Sequence, residues 1–254
     1  MRKPRMGVFK FTSCDGCQLS ILNLEEQLLK LLEFFDIAYF REAADLPPKK
    51  QYDVGVVEGS ISTEWQRKEI MEIRDRARFL ITIGACATAG GIQALRNWAN
   101  ISDYKRNVYP SPDLISAFAM STPVSEHAYV DYELWGCPID SNALSETLVS
   151  LIIGKRPGVP VYSLCMDCKI KGIPCLLVSQ SEPCLGPVTK AGCGVICPSF
   201  GRPCYGCFGP REGANIDSLL ERFGTMGLSQ KETVLLLDKM NTYAYRKARI
   251  EKTH

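Results

Sequence analysis

The 254-residue chain reads as an α/β protein, a doubly wound parallel sheet followed by a small irregular segment and C-terminal helices. Three observations predict this. Short apolar runs alternate with helical patterns as far as residue 154. The runs at 52–57 and 79–83 are almost continuously apolar, as strands buried on both faces are. Finally, the twelve cysteines divide sharply: four fall just after predicted strands, and eight crowd into residues 157–214, where periodicity is almost absent.

Taken in order, residues 6–11 form a first strand that ends in the turn Thr12-Ser13-Cys14-Asp15-Gly16-Cys17. Leu19, Leu22, Leu28, Leu29, Leu31, Leu32 and Phe35 then recur at helical spacing and predict one long amphipathic helix. Residues 37–40 are a short strand, and Pro47-Pro48-Lys49-Lys50 a loop. The strand at 52–57 ends at Glu58-Gly59-Ser60, and Thr63 can cap a helix over 64–77. The strand at 79–83 ends at Gly84-Ala85-Cys86, with a helix expected near 92–98. Residues 99–123 are polar, contain prolines and predict an irregular excursion. A last strand over 128–134 ends at Trp135-Gly136-Cys137-Pro138, and a helix over 141–153 stops at Gly154. These connection lengths suit a flavodoxin-like sheet occupying residues 1–156. Ligands of such sheets sit outside the carboxyl ends of the strands. Cys14, Cys17, Glu58, Cys86 and Cys137 all fall there, so residues scattered over the sequence are brought to one edge.

Composition excludes several classes. With 30 basic and 28 acidic residues the net charge is +2, which calls for neither nucleic acid nor an anionic membrane. The basic cluster Arg246, Lys247, Arg249, Lys252 reads as a solvated helix end. No apolar run approaches the roughly 20 residues that span a bilayer. Residues 1–6 lead straight into a strand without a signal-peptide core, so a cytoplasmic location is expected. Cytosolic thiols stay reduced. Only two histidines, His127 and His254, are present, which leaves cysteine-only sites: iron–sulfur clusters or four-cysteine zinc.

The first set is Cys14, Cys17, Cys86 and Cys137. A thioredoxin-like dithiol would explain Cys14 and Cys17 but not Cys86 and Cys137 at two further strand ends. Structural zinc favours two close pairs, whereas one pair with two distant singles suits a [4Fe–4S] cube gripped from several sides. Residues 157–254 make a second domain with Cys165, Cys168, Cys175, Cys184, Cys193, Cys197, Cys204 and Cys207. Their spacing, C-x2-C-x6-C-x8-C-x8-C-x3-C-x6-C-x2-C, is not that of a two-cluster ferredoxin. A zinc ribbon pairing Cys165/Cys168 with Cys204/Cys207 would strand four thiols, so two clusters of four cysteines each are the simpler reading. Pro174, Pro183, Pro198 and Pro203 stiffen the ligand loops. A segment this irregular is expected to need such centres to organise it. A short helix over 215–223 follows, and Ser229-Gln230-Lys231-Glu232 is a capping box opening a final helix to about 249.

Other features read as less chemical. Gly84 to Gly91 lacks the Walker lysine and the dinucleotide fingerprint, so it is close packing around Cys86. Glu58 can relay protons beside the first set or cap a backbone N–H. Trp135 reads as packing and His127 as a surface or hydrogen-bonded residue. No nucleophile–base pair is visible, so no catalytic residue is assigned.

The motifs Cys14-x-x-Cys17, Glu58-Gly59-Ser60, Gly84-Ala-Cys86-Ala, Gly136-Cys137-Pro138, Cys184-Leu-Gly-Pro187 to Cys193 and Pro203-Cys204-Tyr-Gly-Cys207 together resemble the small subunit of [NiFe]-hydrogenases. Within that family they are most similar to the delta subunits of cytoplasmic sulfhydrogenases, four-subunit enzymes that link hydrogen to NADP(H), some of which also reduce polysulfide. The resemblance covers about residues 5–212. It implies an electron-transfer subunit of an H2-oxidising or H2-evolving oxidoreductase, with no catalytic site of its own. Its partners would be a [NiFe] large subunit and flavin/NADP(H)-binding and iron–sulfur subunits. It implies three clusters: proximal on Cys14, Cys17, Cys86 and Cys137, distal on Cys165, Cys168, Cys175 and Cys184, and medial on Cys193, Cys197, Cys204 and Cys207. Two departures from the family matter. Many members carry histidine where Cys165 stands, and many have a medial [3Fe–4S] cluster with proline near the place of Cys197. Three [4Fe–4S] clusters are therefore expected, with thiolate in place of imidazole lowering the distal potential. The related subunit of a quinone-reducing complex shares the first domain but has no use for the eight C-terminal cysteines. A deazaflavin-linked complex is a further alternative, and a zinc-stabilised binding module is the non-redox rival.

Overall fold

The computed structural model describes residues 2–250. Five parallel strands, β1 (Arg5–Lys10), β2 (Asp36–Phe40), β3 (Tyr52–Glu58), β4 (Ala77–Ile83) and β5 (Tyr132–Leu134), are ordered β2-β1-β3-β4-β5. This is the flavodoxin-like order expected from the connection lengths. The register sets Val8 beside Val56 and Val56 beside Ile81, so alternate residues of β1, β3 and β4 share a face. On one face Val8, Val54, Val56, Ile81 and Ile83 form a core with Ile21, Leu144 and Leu148. On the other, Phe9, Val57 and Leu80 pack with Ile70, Ile73 and Ala87. Two cores, one per face, are what make the wholly apolar strand runs necessary.

Several elements differ from the sequence expectation. The long helix after Cys17 is two helices, α1 (Gly16–Leu22) and α2 (Glu26–Phe34). The break lies at Asn23–Glu25, where Glu25 takes a left-handed φ of 50° and Leu24 is buried. Helix α3 (Glu64–Arg76) starts at Thr63 as expected, the Thr63 hydroxyl accepting the Gln66 N–H. After β4 comes α4 (Gly84–Ala89), and residues Ile92–Trp98 wind as a 3-10 rather than an α-helix. The excursion at 99–123 is not wholly irregular: it holds α5 (Ile101–Val108), capped by Asn100. The last strand is three residues long, not seven. At its start the Asp131 carboxylate accepts the Leu80 N–H at 2.7 Å and pairs with Arg74 at 2.6 Å, occupying the edge of β4 that a longer strand would use. Helix α6 (Ser141–Ile152) is capped by Asp140.

The remainder comprises α7 (Leu164–Ile170), α8 (Leu176–Ser179), α9 (Ile196–Ser199), α10 (Ile216–Thr225), α11 (Gln230–Leu237) and α12 (Thr242–Ile250). The capping box at Ser229 and Glu232 forms, but the expected single final helix breaks between α11 and α12. There the Asp238 carboxylate accepts from Thr242 and from Arg246 instead of letting the helix run on. The cysteine-rich segment is not without apolar packing. Leu164, Leu185, Val188 and Val195 share a core with Phe223, Leu237 and Tyr245, so the C-terminal helices complete what residues 157–214 lack. Arg246 and Lys247 are not simply solvated: the Arg246 guanidinium lies 4.2 Å from the Trp98 ring centroid, and Lys247 pairs with Glu126 at 3.3 Å. Arg249 pairs with Asp217, while Lys252 and His254 lie outside the described residues. Among the described residues no helix is long and apolar enough to cross a membrane.

Candidate metal centres

The three loops that leave β1, β4 and β5 at their carboxyl ends carry the first set of cysteines. The β1–α1 turn is tight because Asp15 adopts φ 66° and is held by Lys10, Nζ to Oδ2 2.6 Å. It leaves Cys17 buried and Cys14 exposed. Gly84 opens α4 with φ +80°, and a Cβ there would stand 2.3 Å from Cys17 Sγ. Only glycine lets the Cys17 sulfur lie this close to the backbone leading to Cys86. Gly91 repeats the device: with φ +70°, its Cβ would stand 2.7 Å from Cys86 Sγ. The Ala85 N–H donates to Gly136 O at 2.7 Å, tying the Cys86 turn to the Cys137 turn.

Glu58, at the end of β3, is 1% exposed. Its Oε1 accepts the Cys17 N–H at 3.1 Å and its Oε2 accepts Gln18 Nε2 at 2.9 Å. Of its two expected roles, the capping one is drawn in these bonds. Burial pushes the Glu58 carboxyl up, against the two hydrogen bonds that favour the carboxylate. Gln93 braces the same region, donating to Thr12 O at 2.7 Å and Ser60 Oγ at 2.8 Å. Its Oε1 lies 3.9 Å from Cys86 Sγ. Burial pushes the Cys86 thiol up to about 12, opposed by the Gln93 hydrogen bond and reinforced by the charges of Cys137, Cys14 and Glu58. Cys17 is driven far up by burial, then by Glu58, with Cys86 and Cys137 adding. Cys137 is raised by burial, Cys14 and Glu58. Cys17, Cys86 and Cys137 are thus each raised by burial first and then by the charge of other cysteines of the set.

In the second segment, α7 carries Cys165 and Cys168 one turn apart, and Cys175 begins α8. A Cβ on Gly186 would stand at ordinary contact distance, 3.5 Å, from both Cys165 Sγ and Cys184 Sγ, so both sulfurs lie beside this one stretch of backbone. Burial pushes Cys165 up to about 11, with Cys184, Cys168 and Cys175 adding in that order. Cys168 is raised by burial, then by Cys184, Cys175 and Cys193. Cys197 answers first to burial and then to Cys193. Burial drives Cys207 to about 12, with Cys193, Cys197 and Cys137 adding. Cys204 goes far up through burial, against the Gly206 N–H and with Cys184 and Cys207 adding. These influences cross the expected division between Cys165/168/175/184 and Cys193/197/204/207: Cys184 is the first cysteine acting on Cys204, and Cys193 also acts on Cys168. Cys184 Sγ accepts the Cys204 N–H at 3.2 Å. Cys207 in turn couples to Cys137 of the first set.

These donors fit an iron–sulfur centre. They are all thiols, and burial above all raises the ones most enclosed, Cys17, Cys86, Cys165, Cys204 and Cys207, a penalty that a cationic metal centre offsets by holding them deprotonated. Glycines keep space beside them where a Cβ would intrude. Among the described residues no three His, Cys, Asp or Glu side chains converge on a point suited to one metal ion.

The sequence missed several supporting residues. Gln18 and Gln93 reach partners 40 and 81 positions away, a pairing that only the fold reveals. Asn241, 1% exposed, donates to Gly206 O at 2.9 Å and Cys207 O at 2.8 Å from the distant C-terminal helices. Trp135 packs as expected, with the Gly209 backbone on its ring and Lys190 Nζ 3.8 Å from the ring centroid. His127 is hydrogen-bonded, its Nε2 lying 2.7 Å from Thr122 Oγ1.

Residues 14–151 match the family described as NADH ubiquinone oxidoreductase, 20 Kd subunit. The chain is 36% identical to the sulfhydrogenase 2 subunit delta of Pyrococcus furiosus, over 85% of this chain and 91% of that one. It is 32% identical to a subunit of the vhu F420-non-reducing hydrogenase of Methanocaldococcus jannaschii, over 92% and 93%. Its fold superposes on a chain of an NAD+-reducing [NiFe]-hydrogenase in the H2-reduced state with a TM-score of 0.58 and 26% identity, covering 63% of this chain and 96% of the other.

Proposed function

The chain belongs to the NADH ubiquinone oxidoreductase 20 Kd subunit family, as a small subunit of a [NiFe]-hydrogenase, and from that premise we propose that it is the electron relay of a cytoplasmic, NADP(H)-linked enzyme. As a hydrogenase subunit it is part of an oxidoreductase that contains iron–sulfur clusters and pairs with a [NiFe] large subunit. In this reading residues 1–156 hold the proximal centre on Cys14, Cys17, Cys86 and Cys137. Residues 157–254 hold the medial centre on Cys193, Cys197, Cys204 and Cys207 and the distal one on Cys165, Cys168, Cys175 and Cys184.

The observation that carries the reading is the contact between the thiol loops: the Cys137 backbone hydrogen-bonds to Cys207, and Cys184 Sγ accepts the Cys204 N–H at 3.2 Å. When bound, three [4Fe–4S] clusters would supply one-electron transfer along this line. The chain's own residues provide the cages and their spacing. Leu19, on α1 with Cys17, and Ile92, next to the Gly91 that lies against Cys86 Sγ, leave apolar side chains exposed, a surface suited to burial against the large subunit. Glu58, buried and shared with the Cys17 N–H, is the candidate proton carrier beside it. The far end would meet flavin and iron–sulfur subunits that exchange electrons with NADP(H), and polysulfide reduction would belong to the same complex. A deazaflavin-linked complex is the second reading, favoured by 26% identity over 54% of this chain to the coenzyme F420 hydrogenase subunit gamma of Methanosarcina barkeri.

Isolating the native complex under hydrogen and offering NADP+, coenzyme F420, a quinone and polysulfide separates these readings. Hydrogen-dependent reduction of NADP+ by a complex containing a large subunit is the expected result. Reduction of coenzyme F420 or quinone alone would overturn the NADP linkage.

A further inference from the structure

The C-terminal helices contribute no cysteine, yet the break between α11 and α12 is aimed at one ligand loop. Asn241 Nδ2 holds the carbonyls of both Gly206 and Cys207. Tyr245, 2% exposed, closes over the same loop with its hydroxyl 2.8 Å from Thr189 Oγ1. Gly206, at φ +78°, lies so close that a Cβ would stand 2.8 Å from the Tyr245 hydroxyl. Beside them, Lys239 Nζ sits 4.5 Å from the ring centroid of Tyr205, the residue between Cys204 and Gly206. The loop is therefore roofed by a neutral clamp carrying one ammonium.

We propose that Lys239 is a positioning residue for electron transfer that raises the reduction potential of the centre held by the Cys204–Cys207 loop, with Asn241 and Tyr245 keeping that loop beneath it. The inference rests on the ligand assignment proposed above. Reduction adds one negative charge to a centre already ringed by thiolates. A nearby cation stabilises the reduced form, and it does so more strongly where the pair is shielded from water. Lys239 meets both conditions. It is partly buried, which lowers its own affinity for a proton, and the charge it answers to is that of Cys204. The neighbouring carboxylate at the helix break, Asp238, is turned to Arg246 and Thr242 and leaves the ammonium facing the loop.

The test is an EPR-monitored redox titration of the intact complex carrying Lys239→Gln or Lys239→Arg, alongside iron and acid-labile sulfide assays. In Lys239→Gln the reduced-to-oxidised ratio of one centre at fixed ambient potential should fall about tenfold, equivalent to about 59 mV for one electron. The other centres should keep their midpoints, and Lys239→Arg should behave as wild type. Unshifted midpoints in Lys239→Gln with every centre present would overturn the proposal. So would loss of iron and sulfide in Lys239→Gln without a shift in what remains, which would make the lysine merely structural. A wild-type complex without labile sulfide would instead overturn the ligand assignment, and this inference with it.

Discussion

A glycine decides whether the first thiol set can form. At Gly84 the backbone takes φ +80° and any Cβ would meet Cys17 Sγ at 2.3 Å, so the sulfur itself would have to move. Gly84→Ala should cost about 1–3 kcal/mol of backbone strain and displace the Cys17 sulfur. The purified variant is expected to lose the iron of the first set and keep that of the other two, read by iron assay and EPR. Cys165 tests the outer set. Cys165→His should leave three centres, with the EPR change confined to the one farthest from the large subunit. Loss of the signal nearest the large subunit, with the outer one intact, would show the ligand sets wrongly divided. The cysteines were legible because each follows a strand or stands in a segment with little else to offer. Gln18, Gln93 and Asn241 were not, since the fold brings their partners from far along the chain.

At the scale of elements, local signals survived where capping chemistry is self-contained. Thr63 and the Ser229–Glu232 box act on N–H groups three residues away, and both are formed. Ser229→Ala should cost about 1 kcal/mol in a denaturation experiment, concentrated in α11. Helix breaks were illegible because they answer to tertiary structure: Leu24 becomes buried, and Asp238 pairs with Arg246. The contact joining the β5 turn to the cysteine-rich segment runs through Lys190 over Trp135. Burial lowers the Lys190 ammonium to about 8, against the pull of Glu133 and Glu212. Below about 8 the lysine is charged in folded and unfolded chains alike, and the folded state bears the full penalty of about 3 kcal/mol. Between about 8 and 10.5 the folded chain sheds its proton first, so the penalty fades as pH rises. Thermal unfolding should therefore show Lys190→Met gaining on the wild type at pH 7 and losing that advantage by about pH 10. An advantage independent of pH would locate the effect in packing instead.

Over the whole molecule, the sheet order and the edge carrying Cys14, Cys17, Cys86 and Cys137 followed from strand spacing alone. The second half was harder to read, because its apolar core is assembled from two separated stretches: loops around Leu164 to Val195, and helices around Phe223 to Tyr245. Neither stretch shows a face complete enough to predict the other. The thiol loops of the two halves meet at Cys137 and Cys207, and the central claim is that the twelve cysteines hold three [4Fe–4S] clusters. Metal and sulfide analysis of the anaerobically purified chain or complex tests that claim most directly. About twelve iron and about twelve acid-labile sulfide per copy of this chain, after subtracting the partners' own content, is the predicted result. About three zinc per chain with no sulfide would contradict it.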